Sequence, residues 1–118
     1  MYDIKALYEA ENISHAIQLL ERHPAAQIIA GGSDVLVQIR EGKRAGVELV
    51  SIYGLEELKG VCLEEDGTLR IGSLTSFSHI TRDPLIQRII PVLGEAVDMV
   101  GGPQIRNIGT IGGNTCNG

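Results

Sequence analysis

The stretch "AQIIAGGSDVLVQIREG", residues 26–42, decides the fold of the first half of this chain. Its apolar start, 26–30, has the composition of a short buried strand. Two glycines then form a turn, and a short helical pattern follows with Ser33 or Asp34 at its N-cap. A second apolar run, "VELVSI" (47–52), predicts another strand. This order of strand, turn, helix and strand is typical of a small, partly parallel α/β unit.

A helix is predicted before this unit. Asn12 is a suitable N-cap for "ISHAIQLLERH", and Pro24 ends the pattern. Helical spacing places four apolar residues on one face. They are Ile13, Ala16, Ile17 and Leu20.

The second half of the chain has a different character. Two short alternating strands flank Asp66-Gly67 in "LKGVCLEEDGTLRIGSL" (58–74), which predicts a hairpin. The stretch 76–100 has a helical pattern, broken at Pro84 and Pro91, with Phe77 and Met99 interpreted as core residues. The sequence therefore predicts an α+β fold. Residues 1–55 form an α/β subdomain, and residues 56–118 begin a second, antiparallel subdomain.

Composition excludes several function classes. The net charge of −5 disfavours a nucleic-acid binder or a binder of anionic membranes, because both need a basic face. No run of eighteen apolar residues predicts a membrane span, and the N-terminus has no apolar signal core. Cys62 and Cys116 form no CxxC pair, so we expect no metal site and two free thiols in a cytoplasmic protein. No catalytic triad or carboxylate pair is recognisable.

The glycine-rich segment "IIAGGSDVL" (28–36) is a candidate anion site. Glycine lets a backbone approach a ligand closely, and a helix N-terminus offers N–H groups and a positive dipole end to a phosphate. A strand-to-helix turn without a ligand explains the spacing equally well. The segment matches neither the GxGxxG nor the P-loop pattern.

A second glycine-rich segment, "GGPQIRNIGTIGGNTCNG" (101–118), predicts a loop that wraps a bound polar group with backbone N–H donors. The alternative is a flexible terminus. Arg106 is interpreted as a solvated or locally paired side chain rather than a phosphate ligand, and His79 as a helix-surface residue.

Together with "LRIGSLTSFSHI" (69–80), these two segments resemble the FAD-binding subunit of the molybdenum hydroxylases, most nearly that of bacterial xanthine dehydrogenases. The resemblance runs along the whole chain. It implies an FAD-binding domain of the type shared with flavoprotein oxidases, incomplete at the C-terminus because family members are more than twice as long. It also implies that the first segment lies along the FAD pyrophosphate and that the second closes on the cofactor from the other side. The implied cofactor-binding residues are Gln27, Ile28, Ile29, Ala30, Gly31, Gly32, Ser33, Asp34, Val100, Gly101, Gly109, Thr110, Ile111, Gly112, Gly113 and Asn114.

The resemblance implies a function within a complex. A molybdenum cofactor on one partner subunit oxidises a purine or another N-heterocycle, and 2Fe–2S clusters on a second partner pass the electrons to FAD and on to an acceptor such as NAD+. The remaining C-terminal part of the FAD domain is a further expected partner. Two alternatives remain open, a nucleotide- or phosphate-binding module without redox chemistry and a structural subunit that has lost the cofactor.

Overall fold

A computed structural model describes residues 3–117 of the chain. The chain divides into two units, Met1–Leu55 and Glu56–Gly118. Both units combine helices with strands, so the predicted α+β class is confirmed. No helix in the described part of the chain is long and apolar enough to cross a membrane.

The first unit contains a three-stranded parallel sheet in the order β1–β3–β2. The strands are β1 (Ile4–Glu9), β2 (Gln27–Ile29) and β3 (Val47–Ser51), and they are connected by α1 (Ile13–Arg22) and α2 (Val35–Arg40). The predicted run of strand, turn, helix and strand is therefore confirmed. Because the strands are parallel, their carboxyl ends lie at one edge of the sheet.

Strand β1 was not expected from the sequence. It exposes much of its surface, and Leu7 is 55% exposed, so the strand has no clear apolar alternation. Its pairing with β3, which includes Leu7 opposite Leu49 and Tyr8 opposite Val50, joins residues about forty positions apart. Strand β1 is thus defined by long-range pairing, which a local pattern does not reveal.

Helix α1 begins and ends where the sequence predicts. The Asn12 side chain accepts a hydrogen bond from the His15 N–H at 2.7 Å, which satisfies one of the free donors of the first turn. The predicted apolar face is wrong in part, because Ile13 and Ile17 are 41% and 52% exposed. Ala16 is buried as predicted, and Leu19, which is outside the predicted set, is buried as well, on a helix that packs against β3.

We expect Asn12→Ala to lower the free energy of unfolding by about 1 kcal/mol, because the His15 N–H loses its acceptor. Chemical denaturation followed by far-UV circular dichroism measures this loss. Ser14→Ala is the matched control, because Ser14 is an exposed residue of the same first turn. Equal effects of the two substitutions would contradict a capping role for Asn12.

The core of the first unit lies between α2 and the sheet. Ile29, Ile39 and Leu49 are buried together, and Val35 and Leu36 pack against them. The N-terminal end of α2 thus covers the same core that β2 contributes to, which fixes both ends of the connecting loop.

The second unit begins with a short 3-10 helix and the predicted hairpin, β4 (Val61–Leu63) and β5 (Leu69–Ile71). At its turn the Asp66 carboxylate accepts a hydrogen bond from the Thr68 N–H at 2.9 Å. This hydrogen bond holds the pKa of Asp66 below its ordinary value, since it favours the charged carboxylate. The Asp-Gly signal therefore identified the turn correctly.

Five short helices follow the hairpin, and the breaks predicted at Pro84 and Pro91 are confirmed. The helices are α3 (Phe77–Arg82), α4 (Pro84–Ile89), α5 (Pro91–Asp98), α6 (Pro103–Ile108) and α7 (Ile111–Asn117). The core consists of Phe77, Ile80, Ile86 and Val97. Phe77 is 3% exposed as predicted, but Met99 is 85% exposed, so its core assignment is wrong. Helix α5 buries Gly94 and Val97. Met99 directly follows the last residue of this helix, and its side chain does not share the buried face.

Candidate functional site

The first candidate segment joins β2 to α2 at the carboxyl edge of the parallel sheet, where ligands bind in many open α/β folds. Among residues 3–117, no acceptor is found for the backbone N–H groups of residues 31–34. Gly32 has a φ of +78°, which L-residues other than glycine seldom adopt. The loop therefore presents a short row of unused backbone donors.

The side chains of this segment have different surroundings. Ile29 is 8% exposed and belongs to the core, so only its backbone is available at the surface. Ser33 is half-buried, and no partner of its hydroxyl is found in the described part of the chain. Asp34 occupies the N-cap position of α2 but makes no capping hydrogen bond. Its carboxylate accepts a hydrogen bond from the Gln38 side chain at 2.6 Å instead.

Helix α2 contributes less to anion binding than the sequence suggests. It is six residues long, and a dipole effect needs aligned peptide groups and is felt mainly within the first turn. The donors of this segment are therefore the N–H groups of the loop itself.

Two residues outside the predicted set contact this segment. Arg44 donates from Nη1 to Oε1 of Gln27 at 2.9 Å, and from Nε to Oε1 of Gln38. Gln38 in turn holds Asp34. No local motif identifies these residues, since Arg44 lies 17 positions from Gln27. They meet because α2 carries the chain back toward the start of β2, where Gln27 lies, before β3 begins.

The turn after β3 also lies beside the first segment. The Ile52 N–H donates to the Ile29 carbonyl at 3.1 Å, directly before the loop begins. Because the ends of neighbouring parallel strands share an edge, the turn over 52–55 is a neighbour of this candidate site that sequence analysis missed. The general rule for parallel sheets could have found it.

The second candidate segment is not the open loop that the sequence predicts. It forms α6 and α7, separated at Gly109 and Thr110. Glycine is a poor helix former, so its abundance here suggested a loop. Tertiary contacts override this preference, because Ile111 packs against the core of the second unit and Thr110 pairs with Ser76.

The N–H groups of the second segment are largely engaged within the protein. Ile111 donates to the Thr75 carbonyl at 3.0 Å, and Gly112 donates to the Ser73 carbonyl at 2.8 Å. Gly113 donates to Oγ1 of Thr110 at 3.0 Å, so Thr110, which is 3% exposed, caps helix α7. The N–H groups of Ile111, Gly112 and Gly113 are therefore engaged within the protein, and a contact of this segment with a ligand stays a prediction.

Close packing accounts for Gly112. A Cβ at this position would lie 2.7 Å from the Ser73 carbonyl oxygen and 2.8 Å from the Ser73 Cβ, too close for either contact. Gly113 and Asn114 are exposed, and no partner of the Asn114 side chain is found among the described residues. Within the predicted contacts Gly109–Asn114, these are the two exposed residues.

Val100 and Gly101 precede this segment. Val100 packs against the core of the second unit. Arg106 donates to the Val100 and Gly101 carbonyls at 3.2 and 2.6 Å, and its Nε lies 3.8 Å from the Asp98 carboxylate. The interpretation of Arg106 as a locally paired side chain is confirmed. His79 is also confirmed at the helix surface, where it lies 3.1 Å from the Asp83 carboxylate.

Comparison with protein families decides the relationship. Residues 2–118 match the family model described as the FAD binding domain in molybdopterin dehydrogenase. The chain belongs to this family. The resemblance to FAD-binding subunits of molybdenum hydroxylases is thereby confirmed.

Two named relatives and one solved structure show the range of the family. The chain is 44% identical over 118 residues to the xanthine dehydrogenase FAD-binding subunit of Escherichia coli O157:H7, covering 100% of this chain and 40% of that protein. It is 40% identical over 110 residues to the nicotinate dehydrogenase FAD-subunit of Eubacterium barkeri, covering 93% and 36%. Its fold matches a chain of Hydrogenophaga pseudoflava carbon monoxide dehydrogenase lacking the Mo-pyranopterin moiety, with a TM-score of 0.94, 29% identity, and coverage of 100% and 41%.

The chain thus spans about 40% of the length of its E. coli relative. Relatives named for xanthine and nicotinate, together with a structural match to a carbon monoxide dehydrogenase, show that one fold serves enzymes of different substrates.

Proposed function

We propose that this chain is part of the FAD-binding subunit of a molybdenum-containing hydroxylase or dehydrogenase. Family membership supports the cofactor, and the unused N–H donors of residues 31–34 are the single structural observation that supports a diphosphate contact. No comparison supports the alternatives of a phosphate-binding module without redox chemistry or a subunit without cofactor.

The residues of the first segment fit an FAD diphosphate. Backbone N–H groups can bind phosphate oxygens without a basic side chain, which suits a chain with a net charge of −5. The Ser33 hydroxyl adds a donor. The Asp34 carboxylate, which would repel a phosphate, is directed to Gln38. The proposed contacts therefore run along the backbone of Gln27 to Asp34.

The second segment has a smaller proposed role. Its buried parts hold the second unit together, while Gly113 and Asn114 are open to a ligand. We assign the contacts of Gly109–Asn114 mainly to these two residues. Val100 and Gly101, which precede α6, stay proposed cofactor contacts. Their carbonyls accept hydrogen bonds from Arg106.

The bound flavin would supply the redox chemistry, namely transfer of electrons from the 2Fe–2S clusters of a partner subunit to an acceptor such as NAD+. The role of this chain is to bind and orient that cofactor. The proposed partners are the molybdenum-cofactor subunit, the 2Fe–2S subunit and the rest of the FAD domain, and the proposed substrate is a purine or another N-heterocycle. Two exposed free cysteines, Cys62 and Cys116, agree with a cytoplasmic location.

Purification of the native complex tests the proposal. We expect a flavin absorption spectrum with about one FAD per copy of this chain, and mass spectrometry that shows molybdenum and 2Fe–2S subunits in the same complex. A folded, colourless complex that binds ADP but not FAD would overturn the assignment in favour of a nucleotide-binding module.

Ser33→Ala should weaken FAD binding, because the side chain loses a hydrogen bond to a charged group, which is worth roughly 1.5–3 kcal/mol at most. The stability of the FAD-free protein should stay unchanged, since no partner of the hydroxyl is found among residues 3–117. Flavin titration measures the affinity. Ser14→Ala, an exposed serine of α1, is the control, and an unchanged FAD affinity in Ser33→Ala would remove this hydroxyl from the site.

A further inference from the structure

The loop over residues 30–34 has weak internal support. It accepts two backbone hydrogen bonds from α2, from Leu36 to the Gly32 carbonyl and from Gln38 to the Asp34 carbonyl, each at 3.0 Å. The N–H groups of residues 31–34 donate to nothing found within residues 3–117. N–H groups without an acceptor in the protein do not stabilise the loop before a ligand binds. Another group must hold the loop in its binding conformation.

A chain of side-chain hydrogen bonds supplies this support. It starts at Gln27, which is fixed in β2 by pairing with Leu49 of β3. Arg44 donates to Oε1 of Gln27 at 2.9 Å and also to Oε1 of Gln38. Gln38 donates to the Asp34 carboxylate at 2.6 Å. The bonds therefore run from the strand before the loop to the last residue of the loop.

Arginine is suited to the centre of this arrangement. Its planar guanidinium presents several donors in fixed directions, so it can hold two amide oxygens at once. In the part of the chain that the structure describes, Arg44 forms no ion pair with a carboxylate, and the side chain is half-buried. Its partners are neutral amides, which indicates a role in geometry rather than in neutralising charge.

We propose that Arg44 is a positioning residue of the FAD site. By linking Gln27 to Gln38 and through it to Asp34, it holds residues 30–34 in the conformation that presents their N–H groups to the diphosphate. This inference rests on the proposed function, and it adds two residues, Gln38 and Arg44, that would not touch the cofactor themselves.

The test uses the full-length protein in its complex, freed of FAD and then titrated with FAD. Arg44→Met keeps most of the apolar stem and removes the donors. We expect the Kd for FAD to rise about tenfold, because a loop that must be ordered on binding loses affinity. In the FAD-free protein, hydrogen exchange of the Leu36 and Gln38 amides, which donate to the loop carbonyls of Gly32 and Asp34, should become faster, while exchange in β3 stays unchanged.

Gln38→Met breaks the link to Asp34 by a different substitution, so it gives a second route to the same result. The Kd of the double variant for FAD should be no higher than that of the single variant with the higher Kd, because both substitutions break the same chain of hydrogen bonds. Independent, additive losses would overturn the positioning role.

Arg40→Met is the matched control, because Arg40 is an exposed residue at the end of α2, the helix that contains Gln38, and its replacement removes the same charge as Arg44→Met. We expect the Kd of Arg40→Met for FAD to stay within about twofold of the Kd of the unchanged protein. An equal rise in Arg40→Met would show a charge effect and overturn the inference, as would an unchanged Kd in Arg44→Met. If the unchanged protein bound no FAD, the proposed function would fail. The exchange data would still decide whether Arg44 orders the loop.

Discussion

Gly112→Ala should lower the free energy of unfolding of the second unit by about 3 kcal/mol, because the added methyl group has no space. Its Cβ would lie 2.7 Å from the carbonyl oxygen of Ser73, the same oxygen that accepts the Gly112 N–H at 2.8 Å. Relief of the overlap requires a backbone movement that also weakens this hydrogen bond. Chemical denaturation followed by circular dichroism measures the loss.

Gly102→Ala is the matched control for this substitution. Gly102 belongs to the same unit and has extended backbone, and the nearest atom to an added Cβ is Oε1 of Gln104 at 3.5 Å. We expect its stability to fall by no more than about 1 kcal/mol, because alanine is less favourable than glycine at this N-cap of α6. A Gly112→Ala protein that is as stable as the control but binds FAD poorly would show that the glycine serves the cofactor instead of the packing.

Gly32→Val should abolish FAD binding at cellular concentrations, with a loss of about a hundredfold or more in affinity, because the loop must change its conformation. The φ of +78° is strained for valine, and a Cβ would lie 3.1 Å from Leu36 Cδ1 and 3.2 Å from Ile29 Cδ1. A rearranged loop no longer directs the N–H groups of residues 31–34 to one ligand. Flavin content per copy of the purified chain measures the effect.

Gly42→Val separates the loss of binding from general strain. Gly42 lies in the same unit with a φ of +81°, and an added Cβ would meet nothing within 4 Å. Both variants should lose roughly 1–2 kcal/mol of stability from the positive φ. Only Gly32→Val should lose FAD. Full flavin occupancy in a folded Gly32→Val protein would exclude the first segment from the site.

The two glycine-rich segments therefore carry out different tasks despite their similar composition. In the first, glycine permits a loop whose backbone donors stay unused. In the second, Gly112 permits close packing, and the donors are consumed by Ser73, Thr75 and Thr110. Composition alone suggested one role for both segments, because it does not record which carbonyl groups lie opposite the donors.

Local chemistry determined much of this protein. The Asn12 cap, the proline breaks at Pro84 and Pro91, and the Asp66-Gly67 turn follow from conformational preferences of single residues and their nearest neighbours. The motifs of the two glycine-rich segments also determined the family, which the comparison confirms.

Tertiary structure alone decided the rest. Strand β1 exists through its pairing with β3, Leu19 is buried on a helix that packs against β3, and the second segment is helical where Ile111 packs against the core and Thr110 pairs with Ser76. Arg44, in the turn between α2 and β3, reaches Gln27 at the start of β2 only in the folded chain. In each case the deciding contact joins residues that are distant in sequence. Its contribution to stability cannot be predicted from a local pattern, because the contact forms only when the chain has folded.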